Sequence, residues 1–208
     1  MSRDDWFRNT RWDDQIALQF EAKLRRAHRK GQFLRIQACS LRGTDPLVAL
    51  SLLDRYFQQE EDRIDDSLAY VDQATAFLAL GRVDEAVYAY EEALKTEEKM
   101  PHTLTEAYLD LPYLISVHRM CDRYGRALEL LEKHRDRLTF PVEHFMWNAA
   151  QAIIANNTGD QEKARDLAGA ALKAADQDRS GFRYHPKIGL ISDKHAEVLS
   201  LLRGYYNS

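Results

Sequence analysis

The chain is short of everything that breaks regular structure or marks common chemistry. Five prolines and nine glycines in 208 residues leave no room for a long linker. Its two cysteines, Cys39 and Cys121, stand in apolar helical patterns without CxxC spacing, so buried free thiols in a reducing compartment are the expectation. No run approaches the roughly 18 apolar residues of a membrane-spanning helix, and the charged start "MSRDDWFRNTRWDD" has no apolar core of a signal peptide. A cytoplasmic, unanchored protein follows as the expected localisation. GxGxxG, GxxxxGK, GxSxG and HExxH are all missing. The net charge of -4 is not that of a typical nucleic-acid binder.

What is present is helical. Alternation of the β type is nearly absent, while Ile16, Phe20, Leu24 and Ala27 fall on one helical face. Gly31 reads as the stop of that first helix, and a second spans about Gln32 to Leu41. Asp45-Pro46 predicts an N-cap followed by proline in the first turn, opening a helix that carries Leu50, Leu53 and Phe57. "TLTE", Thr103 to Glu106, reads as a capping box, and Pro112 within the helix it opens predicts a kink near Asp110.

Self-similarity then organises the chain. "GTDPLVALSLL", "GRVDEAVYAY", "RYGRALELL" and "GDQEKARDLA" share one form: a turn followed by a helix with alanine near its start. The anchors are Ala49, Ala86, Ala127 and Ala164, spaced by 37, 41 and 37 residues. A small residue belongs there because antiparallel helices joined by a few residues pass within roughly 8 to 10 Å of each other. Ala74 and Ala86 are the expected crossing of one pair, with Tyr70, Phe77, Tyr90 and Leu94 plugging the gaps to neighbours.

Tyr70, Ala74, Phe77, Gly81, Ala86, Tyr90 and Ala93 stand at the aromatic, small, aromatic, turn-glycine, small, aromatic and small positions of a tetratricopeptide repeat, which this unit resembles. Gly159, Ala164, Ala168 and Ala171 keep part of that pattern, although Asn148 and Ala155 replace the leading aromatics. The units around Ala49 and Ala127 keep less; the second has Tyr124 and Gly125 in its turn. "SRDDWFRNTRW", "FPVEHFMWNAAQA" and "SGFRYHPKIGL" are similar to segments of stand-alone bacterial repeat proteins.

The resemblance implies an all-α, right-handed α-solenoid of about nine to eleven helices forming a single domain. Its pairs would span roughly 30–58, 65–98, 103–138 and 141–178, with terminal capping helices at 12–30 and 190–205. It also implies a concave face lined by the first helix of each pair, binding a peptide or partner protein without a cofactor. Arg35, Arg42, Thr75, Tyr113, Ser116, Arg119, Asn156 and Asn157 are the residues so placed, set against the alternative that each is an ordinary solvated position. The lysine and asparagine clamp with which some relatives hold a C-terminal carboxylate is not evident. A homo-oligomer is compatible with the same surface.

Other classes have weaker marks. Lys23, Arg25, Arg26, Arg29, Lys30 and Arg35 make the first helical region basic, a surface for nucleic-acid phosphates or for an acidic protein. His118 and Cys121 are spaced to share a metal, but no second close pair completes four ligands. Carboxylate runs at Asp13-Asp14, Glu60-Glu61-Asp62 and Asp65-Asp66 read as solvated faces or helix starts, leaving an enzyme as the third class. The aperiodic Ser180 to Leu190 segment is a binding loop or, more simply, a fold-back cap on the last repeat.

Overall fold

The computed structural model describes residues 5–59 and 63–207. The carboxylate run at 60–62 therefore lies outside the described residues. Among those described there are ten α-helices, no strand, and sequential antiparallel packing of helix pairs. Packing separates two compact units, one ending at Ala107 and the other starting at Tyr108.

The first unit holds α1 (Asp14–Leu24), α2 (Lys30–Leu41), α3 (Pro46–Phe57), α4 (Asp66–Ala79) and α5 (Val83–Lys99). α2 packs on α3 and α4 on α5, while α3 also meets α4. Ala49, Ala74 and Ala86 are completely buried, as close helix crossings require. Tyr70 stacks on Phe57 across the α3–α4 boundary at 4.6 Å between ring centroids, filling the space between successive pairs.

Two expectations fail in this unit. Gly31 does not stop α1, which ends at Leu24; it lies in the first turn of α2, where Tyr56 ring atoms would approach an added Cβ to 3.5 Å. Thr103 does not cap the next helix either, because its hydroxyl donates to the Met100 carbonyl. The capping hydroxyl is that of Thr105, which accepts from the Ala107 amide at 3.2 Å and donates to the buried Glu97 carboxylate. Glu97 also takes the Thr105 amide at 2.8 Å, and this buried acceptor moves the start of the helix beyond the TLTE motif.

A strap precedes α1. Trp6 and Trp12 both pack against Phe20, and Trp6 meets Phe33 of α2 at 4.9 Å. Gln37, completely buried on α2, holds the strap by accepting from the Asn9 amide (3.0 Å) and side-chain nitrogen (2.9 Å) and donating to the Asn9 carbonyl (2.8 Å). A buried glutamine so satisfied fixes one register of the segment over the helices.

The second unit contains α6 (Ala107–Val117, beginning at the boundary), α7 (Tyr124–Lys133), α8 (Pro141–Asn157), α9 (Gln161–Ala175) and α10 (Ala196–Asn207). α6 continues through Pro112 as one helix. α8 packs on α7 and α9, and α10 packs on α9 and α8. α10 comes so close to α9 that a Cβ on Gly169 would lie 2.9 Å from the Tyr206 ring. Ala127 and Ala164 are buried to the same degree as their counterparts in the first unit. α8 starts at Pro141, and the Glu143 carboxylate takes the amides of Thr139 (2.6 Å) and Phe140 (3.0 Å), which satisfies two orphan donors at that end.

The same turn appears three times. At Gly81, Arg119 and Gly159 the chain adopts positive φ of 71°, 53° and 89°. Each is closed by two backbone bonds of the Schellman type: Gly81 to Leu78 and Arg82 to Phe77, Arg119 to Ser116 and Met120 to Ile115, Gly159 to Asn156 and Asp160 to Ala155. Gly125, placed in a turn on sequence grounds, is instead inside α7; the left-handed residue of that turn is Arg119.

Candidate functional site

The eight residues assigned to a partner-binding face divide sharply once their contacts are seen. In the first unit, Arg35 of α2 and Arg42, which caps the end of that helix, reach α4 and hold Asp72. Arg35 lies 3.3 Å from one Asp72 oxygen and 3.4 Å from Asp65, and Arg42 pairs with the other Asp72 oxygen. Asp72 is almost fully buried, and burial holds its carboxyl above the ordinary value in spite of the two guanidinium groups. The bases are thus internal counter-charges. Cys39 borders the same group, and burial together with the Asp72 charge pushes its thiol up, away from thiolate reactivity. Thr75 donates to the Val71 carbonyl one turn back on its own helix.

In the second unit, Ser116 is completely buried and donates to the Tyr113 carbonyl, so it offers nothing to a partner. Tyr113 shares a hydrogen bond of 3.0 Å with Nδ1 of His195, just before α10. His195 is itself buried, edge-on to Phe145 at 5.2 Å, with its Nε2 lacking a partner; burial, aided by Lys194, lowers its pKa to about 4. Asn157 donates to the Tyr124 hydroxyl at 2.7 Å and ties the end of α8 to the start of α7. Arg119 is exposed and Asn156 half-buried.

Cys121 is exposed rather than buried, donating to the Arg119 carbonyl at 3.3 Å, and Cys39 is half-buried; both are free thiols. Among the described residues no three His, Cys, Asp or Glu side chains gather as metal ligands, and no helix is long and apolar enough to cross a membrane.

The basic stretch from Lys23 to Arg35 does not form one helical face. Lys23 lies in the last turn of α1, Arg25, Arg26 and Arg29 lie in the connection, Lys30 opens α2, and Arg35 turns inward to Asp72. What this break creates is a pocket of about 570 Å³. Trp6, Phe33 and Ala27 give it an apolar surface, and Lys23, Arg26 and Arg29 rim it, with no carboxylate in the lining. Lys23 Nζ stands 5.9 Å from the Trp6 ring centroid, within cation–π range. Sequence reasoning saw the bases but not the pocket, because the wall supplied by Trp6 depends on the strap that Gln37 pins.

The Ser180 to Leu190 segment closes on itself and meets the start of α8 through Phe182 and Gly189. The Ser180 amide donates to the Pro186 carbonyl at 2.8 Å, and the Val142 amide donates to the Gly189 carbonyl at 2.9 Å. Phe182 stacks on Phe140 at 5.2 Å while Tyr184 stays exposed. α10 packs on α9, the place expected of the capping helix at 190–205, while the loop itself lies against the start of α8.

No family model matches the chain, and comparison with curated proteins and with solved structures likewise returns no match.

Proposed function

We propose that the chain is a protein-interaction module of the tetratricopeptide type, whose helix pairs display a surface to a partner protein or peptide. The observation that carries this reading is the recurrence of one turn, closed by the same two hydrogen bonds at Gly81, Arg119 and Gly159, each followed by a helix with a buried alanine, five residues on at Ala86 and Ala164 and eight at Ala127. Repetition of a unit that cannot bury its apolar face alone is the hallmark of scaffolds that bind through extended surfaces. We assign the binding role to Arg119 and Asn156, a choice supported by the internal contacts of Arg35, Arg42, Thr75, Tyr113, Ser116 and Asn157.

Affinity capture with the full chain, followed by reciprocal capture and titration of the purified partner, tests the reading. Arg119→Glu combined with Asn156→Ala should weaken that complex by about tenfold, roughly 1.4 kcal/mol, without lowering the melting temperature. Partner binding indifferent to both substitutions, or salt-sensitive retention of labelled nucleic acid at physiological ionic strength in place of a protein, would displace it.

A further inference from the structure

We propose that the pocket between the N-terminal strap and the α1–α2 connection binds a small organic anion: a flat or extended apolar body carrying one carboxylate or phosphate group. The inference does not rest on the partner-binding reading.

Three observations carry it. The volume, about 570 Å³, falls within the roughly 300 to 1,000 Å³ of small-molecule sites and exceeds what a single inserted side chain would fill. The apolar surface is aromatic, with Trp6 and Phe33 at 4.9 Å and inclined by 41°, and this suits a planar or acyl body. The rim is of one sign. Neither Lys23 nor Arg26 enters an ion pair among the described residues, both are exposed, and the nearby α1 carboxylate, Glu21, is held by both terminal nitrogens of Arg55 at 2.6 and 3.1 Å.

An anion seated on the rings would meet Lys23 and Arg26 at the mouth, where a charge-assisted contact gains from an apolar floor behind it. Gln32 and His28, also in the lining, add polar groups able to orient the head group. A neutral ligand would leave the cationic rim unanswered, and a bare inorganic anion would leave the rings uncovered.

Calorimetric titration of the full chain with 1-naphthoate, 1-naphthyl phosphate and neutral 1-naphthalenemethanol decides the matter, with the Trp6 indole N–H resonance as a local reporter. Saturable one-to-one binding of at least one anion is expected, with a shifted Trp6 resonance and the neutral analogue weaker by about tenfold or more. The tighter of the two anions identifies the head group as carboxylate or phosphate. Lys23→Gln with Arg26→Gln should reduce that affinity by about tenfold at an unchanged melting temperature. Equal affinity for the neutral compound, retention of affinity in the double variant, or no binding of either anion up to about 1 mM would overturn the proposal.

Discussion

Arg42, at the C-terminal cap of α2, donates to the buried carboxylate of Asp72 on α4, thirty residues further along the chain, so that a charge inside the first unit is answered from a neighbouring helix pair. Arg35 answers the same carboxylate from about two turns earlier, on α2. Desolvation outweighs both partners in setting the carboxyl's proton affinity, the signature of a group whose burial costs more than its pairing returns.

Removing only the acid should therefore be costly. Asp72→Ala takes this carboxylate from Arg42 and leaves Arg35 with Asp65 alone, and is expected to destabilise the first unit by about 2 kcal/mol. Replacing the whole set, Asp72→Leu with Arg35→Met and Arg42→Met, should recover most of that loss. Urea unfolding of the two variants checks it; a triple variant no more stable than the single one would contradict this account.

Arg119 occupies a turn position that its two counterparts fill with glycine. A left-handed conformation costs a residue with a Cβ about 1 kcal/mol. Arg119→Gly should stabilise the protein by about that amount, and Gly81→Ala should destabilise it similarly, since open space around Gly81 leaves backbone conformation as the cost. Thermal melts of both variants are sufficient to test the pair.

His195 gives the stability a defined acid limb. An ordinary histidine titrates near 6.5 and this one near about 4, so between those values the folded state binds fewer protons than the unfolded state. Its contribution is present above pH 6.5 and disappears as the pH falls from there towards 4, up to about 3 kcal/mol. His195→Phe should flatten that part of the stability–pH curve, whatever its effect at neutral pH. An unchanged slope between pH 6.5 and 4 would remove His195 as the cause.

Gln37→Leu should release the strap. Asn9 would lose three hydrogen bonds to one side chain, at a cost of about 2 kcal/mol, and Trp6 would lose its fixed place against Phe33. Amide hydrogen exchange at Asn9 should accelerate well above the global rate, while exchange in the α4–α5 pair stays protected.

Features that depend on a residue's own size or backbone were legible in the sequence. Ala49, Ala86, Ala127 and Ala164 announce close crossings because no other common side chain is small and still favours a helix. Gly81 and Gly159 announce left-handed turns for the same kind of reason. Features that depend on a distant partner were not. Thr103 matches a capping pattern, but Glu97 claims Thr105 instead; Arg35 looks solvent-facing until Asp72 is placed opposite it. Arg119 was picked out as a contact residue, and nothing local betrayed that it replaces a turn glycine. Gln37, a polar residue on an otherwise apolar helix face, was the available signal for the strap and its pocket.

The loop that begins at Ser180 and closes where Gly189 meets Phe140 has one more implication. A Cβ on Gly189 would come within 2.5 Å of the Phe140 side chain, and the Gly189 carbonyl accepts from Val142, so the far end of the loop is locked to the base of α8. Residues 183–185 are exposed, with Arg183 over the Tyr184 ring at 5.5 Å. Lengthening a loop whose ends are already fixed adds little closure entropy, about 0.6 kcal/mol for a doubling. An epitope or a fluorescent peptide inserted between Arg183 and His185 would open the turn that His185 closes on Phe182, while the Gly189 end stays tied to α8 and the helix pairs beneath remain as they are.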